Sequence, residues 1–324
     1  MLDIISQNLL SPTILFFILG ASAGFLKSDL NVPDSMGRYL GIYLMMSIGF
    51  KGGVSVSEIE SFSREIMLTI FCGILFSFII PFIGYFFLKI STNLDRATAS
   101  ALSAHYGSVS IVTFATCVNF LQSKHIEYSG FMAAILAIME IPAILSGLYL
   151  AHRVAPETNS HKKEEKILAK EIFTNGSVLL LLGSFIVGSI SGKSGLNQIA
   201  PFLVNPFQGV ICMFMLDMGL IVTRRLQDLR LISAKVILFG IYMPLLSVAI
   251  GLILSKLIGL DLGSSILFMT LCASASYIAV PSAMRLALPE AKESVYVPIS
   301  LGVTFPFNII FGIPLYFAIA KYFL

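Results

Sequence analysis

Apolar residues run along this chain in blocks of up to about twenty, broken by Gly, Pro and charged residues. Against that punctuation the pattern predicts ten helical crossings, near residues 8–26, 36–50, 65–88, 97–121, 128–151, 174–191, 203–223, 234–255, 262–288 and 295–320. Several blocks reach the ~20 residues that a helix needs to cross ~30 Å of hydrocarbon. The second block is the shortest. It ends in the flexible run Ile48-Gly49-Phe50-Lys51-Gly52-Gly53 and is expected to be a partial or tilted crossing. Composition agrees with a membrane protein. Hydrophobic residues make up 56% of the 324 positions and charged ones 12%, against roughly a quarter charged in a soluble domain. No Lys or Arg precedes Pro12, so the first block reads as a permanent span and not as a cleaved signal.

Charge then sets the expected orientation. Over alternate loops, fifteen of the 21 Lys and Arg residues fall on one side, which basic loops mark as cytoplasmic. Both termini fall on the other side and are expected outside. The long polar stretch, 154–173, lies on the basic side and reads as a cytoplasmic linker between a first five-helix repeat, 1–153, and a second, 174–324.

Those halves compare at an offset of about 163 to 170 residues: Gly49 with Gly219, Pro81 with Pro244, Lys89 with Lys256, Asp95 with Asp261, and Tyr128 with Tyr296. With an odd number of spans per half, the second copy is inverted. The expected fold is therefore an all-α integral membrane protein of about ten helices in two inverted repeats, with discontinuous crossover helices facing each other near the midplane.

The candidate chemistry lies at those crossovers. Ser103 to Ser110 in the fourth span and Ser274 to Ser282 in the ninth carry hydroxyls and small residues where a lipid-facing helix would carry Leu. Interrupting a helix at Gly107 or Pro281 frees backbone groups that protein, water or a ligand must satisfy. A half-helix N-terminus then holds an anion without a buried base. Serine hydroxyls both donate and accept, which suits a small, partly protonated oxyanion. The substrate candidates are Gly107, Ser108, Ser110, Ser274, Ser276 and Tyr277. Close helix packing is the competing explanation for such residues.

Glu140 lies inside the fifth span, where a carboxylate is costly and usually functional. Thr304 and Asn308 flank Pro306 in the matched tenth span and offer neutral oxygens of the kind hard cations accept. Glu140, Thr304 and Asn308 are the sodium candidates, and His105 joins them as a coupling candidate able to carry a proton. Asp217 reads equally as an ion-pair partner or a transport residue, and Lys51 as a snorkelling side chain. The four cysteines, Cys72, Cys117, Cys212 and Cys272, lie apart inside apolar blocks and read as core-filling residues.

Seven segments carry a resemblance: LSPTILFFILG at the start, SIGFKGG after the second span, AHYGSVS in the fourth, EIPA in the fifth, MLDMGL in the seventh, SASYIAVPSAMR in the ninth, and Thr304-Phe305-Pro306 in the tenth. At these the chain resembles the sodium-dependent bicarbonate permease family, nearly end to end. The resemblance implies a core domain and a gate domain, sodium-coupled bicarbonate uptake, a trimer, and a place in a bacterial inner membrane. It also implies regulation by a PII-like protein on the cytoplasmic side. Tyr277, where the family has an acidic residue, and the pair His105-Tyr106 mark a divergent branch.

The expected function is a secondary active transporter importing a small anion, bicarbonate in symport with sodium. The alternative is a sodium- or proton-coupled carrier of another small organic anion. No HExxH, GxSxG, P-loop or Rossmann pattern occurs, so an enzyme is not expected and no cofactor is called for beyond the coupling ion. Basic residues lie scattered over loops without interleaved aromatics, which argues against a nucleic-acid partner. Bilayer lipid is the expected surrounding.

Overall fold

The structure, a computed structural model, describes residues 2–57, 63–152, 176–226, 228–277 and 279–324. The described residues are helical, with no strand among them. The expected linker 154–173 lies outside them.

The first half comprises α1 (Leu2–Leu9), α2 (Pro12–Phe25), α3 (Asp34–Ser57), α4 (Arg64–Ser91), α5 (Arg96–Gly107), α6 (Ile111–Ser123), α7 (Met132–Ile138) and α8 (Glu140–His152). The second comprises α9 (Gly176–Leu203), α10 (Phe207–Leu226), a 3₁₀ turn (Asp228–Leu231), α11 (Ala234–Ile258), α12 (Leu262–Ala273) and α13 (Ala279–Ala287). The last crossing begins as α14 (Glu293–Ile299), passes through π-helical turns at Ser300–Thr304 and Asn308–Gly312, and ends as α15 (Ile313–Phe323). Among the described residues, eight helical stretches are long and apolar enough to cross a membrane, counting Arg96–Ser123 as one, and Pro12–Phe25 and Leu262–Ala273 are shorter apolar helices.

Two expected boundaries change. The second crossing is a 24-residue helix, α3, and not a partial one. Its glycines do not break it, because neighbouring backbone occupies the space they leave: a Cβ on Gly53 would stand 1.9 Å from the Phe185 carbonyl oxygen of α9. The sixth crossing continues beyond its expected end at 191 to Leu203. Gly192 (φ 56°, ψ −158°) breaks it, and the stretch beyond comes against α3, where the Tyr43 hydroxyl donates to the Phe202 carbonyl at 2.6 Å.

Contacts divide the described helices into two bodies that do not coincide with the sequence halves. In one, α2 packs along α10, and α3 along α9 and α10. In the other, α4 packs on α5 and α8, and α11 on α12 and the first π-helical turn. These are repeat-related pairings: the first crossing on the seventh mirrors the sixth on the second. The first body is held by close backbone approach at glycines: Gly20 of α2 against the Leu216 carbonyl, Gly49 and Gly53 of α3 against the Leu181 and Phe185 carbonyls, and Gly188 of α9 against the Phe50 carbonyl. On α10 a Gly219 Cβ would stand 2.2 Å from the Phe17 carbonyl oxygen. Lipid tails are as apolar as Leu, so helices in a bilayer gain by such van der Waals contact and not by escaping water.

Candidate functional site

The site grows from two capped helices. Asp95 is the N-cap of α5; its carboxylate accepts from the Thr98 N–H at 2.8 Å and the Thr98 hydroxyl at 2.9 Å. Asp261 does the same for α12, accepting from the Ser264 N–H at 2.8 Å and its hydroxyl at 2.6 Å. Each helix runs twelve residues inward and stops, at Gly107 and at Ala273. Gly107 is obligatory there: a Cβ would stand 2.5 Å from Pro81 Cγ and 2.6 Å from the Ser77 carbonyl oxygen.

The chain is extended at Ser108 and Ser110 before α6 begins, and at Ser274 before α13. The two breaks touch. The Ser110 N–H donates to Ser274 Oγ at 3.0 Å, and the Ser276 N–H donates to the His105 carbonyl at 2.9 Å. Each break thus satisfies backbone that the other leaves open. Ser110 also caps α6, its Oγ accepting from the Thr113 N–H at 3.2 Å and the Thr113 hydroxyl at 3.0 Å. Ser274 donates to the Leu271 carbonyl at 2.9 Å. Tyr277 packs edge-on against Phe305, its hydroxyl toward Ser110. The structure therefore brings Gly107, Ser108, Ser110, Ser274, Ser276 and Tyr277 to one crossing, with the N-termini of α6 and α13 beginning there. That polarity favours negative charge.

Four buried polar atoms at or beside the crossing have no hydrogen-bond partner in the protein: Ser108 Oγ, His105 Nε2, Glu140 Oε2 and the Tyr277 hydroxyl. His105 Nδ1 lies 2.7 Å from the Ala101 carbonyl, which only the protonated nitrogen can approach as a donor, leaving Nε2 as an acceptor. Glu140 is 4% exposed and opens α8. Helix α8 runs antiparallel to α5, with Arg96 Nε donating to the Leu150 carbonyl at 2.9 Å and Gly147 against Ala104. Seven residues before Gly147, roughly 10 Å along a helix, Glu140 reaches the depth of the first break. Ser77 ties the two, donating to the Met139 carbonyl beside Glu140 while its own carbonyl faces Gly107. An unpartnered buried polar atom costs about 1–3 kcal/mol, so four beside one crossing mark a place built for something else.

Thr304 and Asn308 sit differently. Thr304 donates to the Gly240 carbonyl at 2.7 Å and shares a 2.6 Å contact with the Tyr106 hydroxyl. Asn308 donates to the Ala273 carbonyl at 2.9 Å, and its Oδ1 accepts from the Tyr316 hydroxyl at 2.6 Å. Both brace the breaks with the polar atoms that would otherwise face a ligand. No group of three His, Cys, Asp or Glu able to hold a metal occurs among the described residues. A cation here would rest on carbonyls, hydroxyls and the one carboxylate. Lys51 lies over the Phe207 ring, 4.5 Å from its centroid.

Two cavities approach from opposite ends. A larger one, about 1200 Å³, lies between α3, α9 and α10 on one side and Tyr277, Pro281 and α14 on the other. Asp217 lines it against Gly37, with Arg225 of its own helix also on the wall. A smaller one, about 600 Å³, lies between α1, α2 and the start of α10 and the far end of α6. Hydrogen bonds join the two bodies there: Asn119 Nδ2 to Thr13 Oγ1 at 2.7 Å, Gln208 Nε2 to Gln122 Oε1 at 3.2 Å, and Lys124 Nζ to Gln7 Oε1. The sequence reading missed this polar contact; its signal, five carboxamides in apolar flanks (Gln7, Asn8, Asn119, Gln122, Gln208), is visible only once the helices are paired.

No curated protein matches the sequence. The family model of the Na+-dependent bicarbonate transporter superfamily matches residues 12–321, nearly the whole chain. On this match the chain belongs to the Na+-dependent bicarbonate transporter superfamily.

Proposed function

We propose that the protein imports bicarbonate in symport with sodium by alternating access. The observation that carries this reading is the pair of broken helices joined through Ser110 N–H to Ser274 Oγ and Ser276 N–H to His105 O, with Ser108 Oγ and Glu140 Oε2 left unpartnered beside them. Backbone N–H groups and hydroxyls at the N-termini of α6 and α13 hold the anion. Glu140 is the coupling-ion ligand, assisted by nearby carbonyls; Thr304 and Asn308 hold the helices around it. The halves 1–153 and 174–324 act as inverted copies, so that one body slides past the other and exposes the crossing to each side in turn.

The unequal cavities support that motion. The 1200 Å³ cavity reaches Tyr277 from the basic end, while hydrogen bonds join the bodies around the 600 Å³ one. With the basic end in the cytoplasm and both termini outside, this is an inward-facing arrangement in a bacterial inner membrane. A trimer and a PII-like regulator on the cytoplasmic side belong to the same reading.

The test is uptake of labelled bicarbonate into liposomes carrying the purified protein, with and without an inward sodium gradient. Sodium-stimulated uptake is expected; uptake indifferent to sodium, from folded protein, overturns the reading. His105 Nε2, an unpartnered acceptor at the crossing, favours a second reading in which a proton drives another small organic anion. A pH jump without sodium, with competing anions, separates the two.

A further inference from the structure

The larger cavity is the wrong shape and chemistry for a small oxyanion alone. It holds about 1200 Å³, room for tens of waters, whereas bicarbonate has four heavy atoms. Its walls along the membrane-spanning helices are mostly apolar, with Ile42, Met45 and Met46 of α3, Leu180 and Val187 of α9, and Phe214 of α10, and with Asp217 of α10 among them. Ile42 and Val187 remain 46% and 54% exposed. Most of the charge lies at the mouth, where Asp34 and Arg38 of α3, Arg225 of α10, Arg285 of α13 and Glu293 of α14 line the wall, carboxylates interleaved with guanidiniums.

An apolar lining of this extent is costly to leave in water. The bilayer beside it supplies aliphatic chains at the same depth, and a mixed basic and acidic mouth complements a zwitterionic headgroup. We propose that a membrane phospholipid occupies this cavity, its acyl chain on the Met46 and Leu180 wall and its phosphate and ammonium at Arg38 and Asp34. The lipid fills the space into which Tyr277 and α14 must move, so it holds the protein in this conformation and must leave before the bodies slide. The lipid's place rests on the cavity, and its hold on the conformation rests on the sliding of the two bodies proposed above, whatever anion the crossing carries.

The protein has no Trp, so a single introduced Trp is a clean reporter. Met46→Trp places it on the cavity wall; Phe71→Trp, at a 61% exposed position of α4, is the membrane-facing control. Each variant is reconstituted in bilayers of phosphatidylethanolamine with brominated acyl chains and, separately, exposed to iodide in unbrominated bilayers. Brominated lipid is expected to quench Met46→Trp at least half as strongly as Phe71→Trp, with no iodide quenching, and native mass spectrometry is expected to find one phospholipid retained per chain. Adding Gly183→Phe, which fills the cavity from a position whose Cβ has no atom within 4 Å, is expected to halve the quenching and release the lipid. Iodide quenching without lipid quenching would show a water-filled cavity and overturn the proposal. Quenching by a brominated free fatty acid but not by brominated phospholipid would overturn it too, in favour of a soluble amphipath. Unchanged lipid retention in the filled variant would also sink it, and matching melting temperatures establish that each variant is folded.

Discussion

The Thr98 hydroxyl accepts the backbone N–H of Lys292 at 3.0 Å, and the Ser264 hydroxyl accepts the backbone N–H of Ser129 at 2.9 Å. Each hydroxyl already donates to the aspartate that caps its helix, Asp95 or Asp261. Both broken helices are thus anchored by the same three-part device to the residue leading into the next crossing of the other half. Two similar anchors are what an inverted repeat produces from one local solution used twice.

Asp95→Ala removes one anchor and is expected to cost about 1 kcal/mol, as lost N-caps do, read as a lower midpoint in thermal unfolding. Burial alone would raise the Asp95 carboxyl, but the Thr98 hydrogen bonds and Lys292, 3.7 Å away, outweigh it and hold its pKa below the ordinary 3.8. Its contribution is therefore complete above the unfolded value near 4 and fades as pH falls through the lower folded value. The midpoint of Asp95→Asn, which keeps a capping oxygen but not the charge, is expected to lose that acid dependence and to fall at pH 7 by less than that of Asp95→Ala.

Ser108→Ala and Ser274→Ala separate binding from packing. Ser108 Oγ has no protein partner, so its removal is expected to leave thermal stability unchanged and raise the apparent KM for anion uptake roughly tenfold, the scale of one hydrogen bond to a charged group. Ser274 Oγ holds the Ser110 N–H, so its removal is expected to lower both the melting temperature and the uptake rate. Equal stability losses in the two variants would reduce Ser108 to a packing residue.

Glu140→Gln keeps the side-chain volume and removes the charge. The expected outcome is normal expression with the sodium concentration for half-maximal uptake raised tenfold or more. An unchanged sodium curve would remove Glu140 from ion coupling.

Substituting glycines distinguishes the close helix contacts from open space. Gly53→Leu drives a side chain into the Phe185 carbonyl and is expected to abolish folding, while Gly183→Leu enters open space and is expected to be tolerated. Size-exclusion profiles and melting curves in detergent report both.

Asn119→Ala removes the 2.7 Å bond to Thr13 that joins the bodies beside the smaller cavity. Cys212, half-buried on that cavity wall, is expected to react several-fold faster with an impermeant maleimide in this variant, because the bodies separate more often there. Labelling at the wild-type rate would show that other contacts keep that end shut.

Much of this was legible in one dimension. The crossings follow from runs of apolar residues, because hydrocarbon leaves a chain few options other than a helix of fixed minimum length. The first break was legible at Gly107, but the second was expected at Pro281, which lies in the first turn of α13, and the chain breaks after Ala273 instead. The length of α3 was not legible: Gly49, Gly52 and Gly53 read as the flexible end of a partial or tilted crossing, yet Gly49 and Gly53 are the surface on which α9 lies. The roles of Thr304 and Asn308 were likewise undecided, since an oxygen looks the same whether it faces an ion or a neighbouring carbonyl. The sequence by itself determined a helical membrane protein with interrupted crossings, the first of them at Gly107. Only the tertiary structure decided which hydroxyls remain unpartnered, how the halves interleave into two bodies, and which end stands open. Those depend on distances between residues more than a hundred positions apart, such as Ser110 and Ser274, that no local pattern encodes.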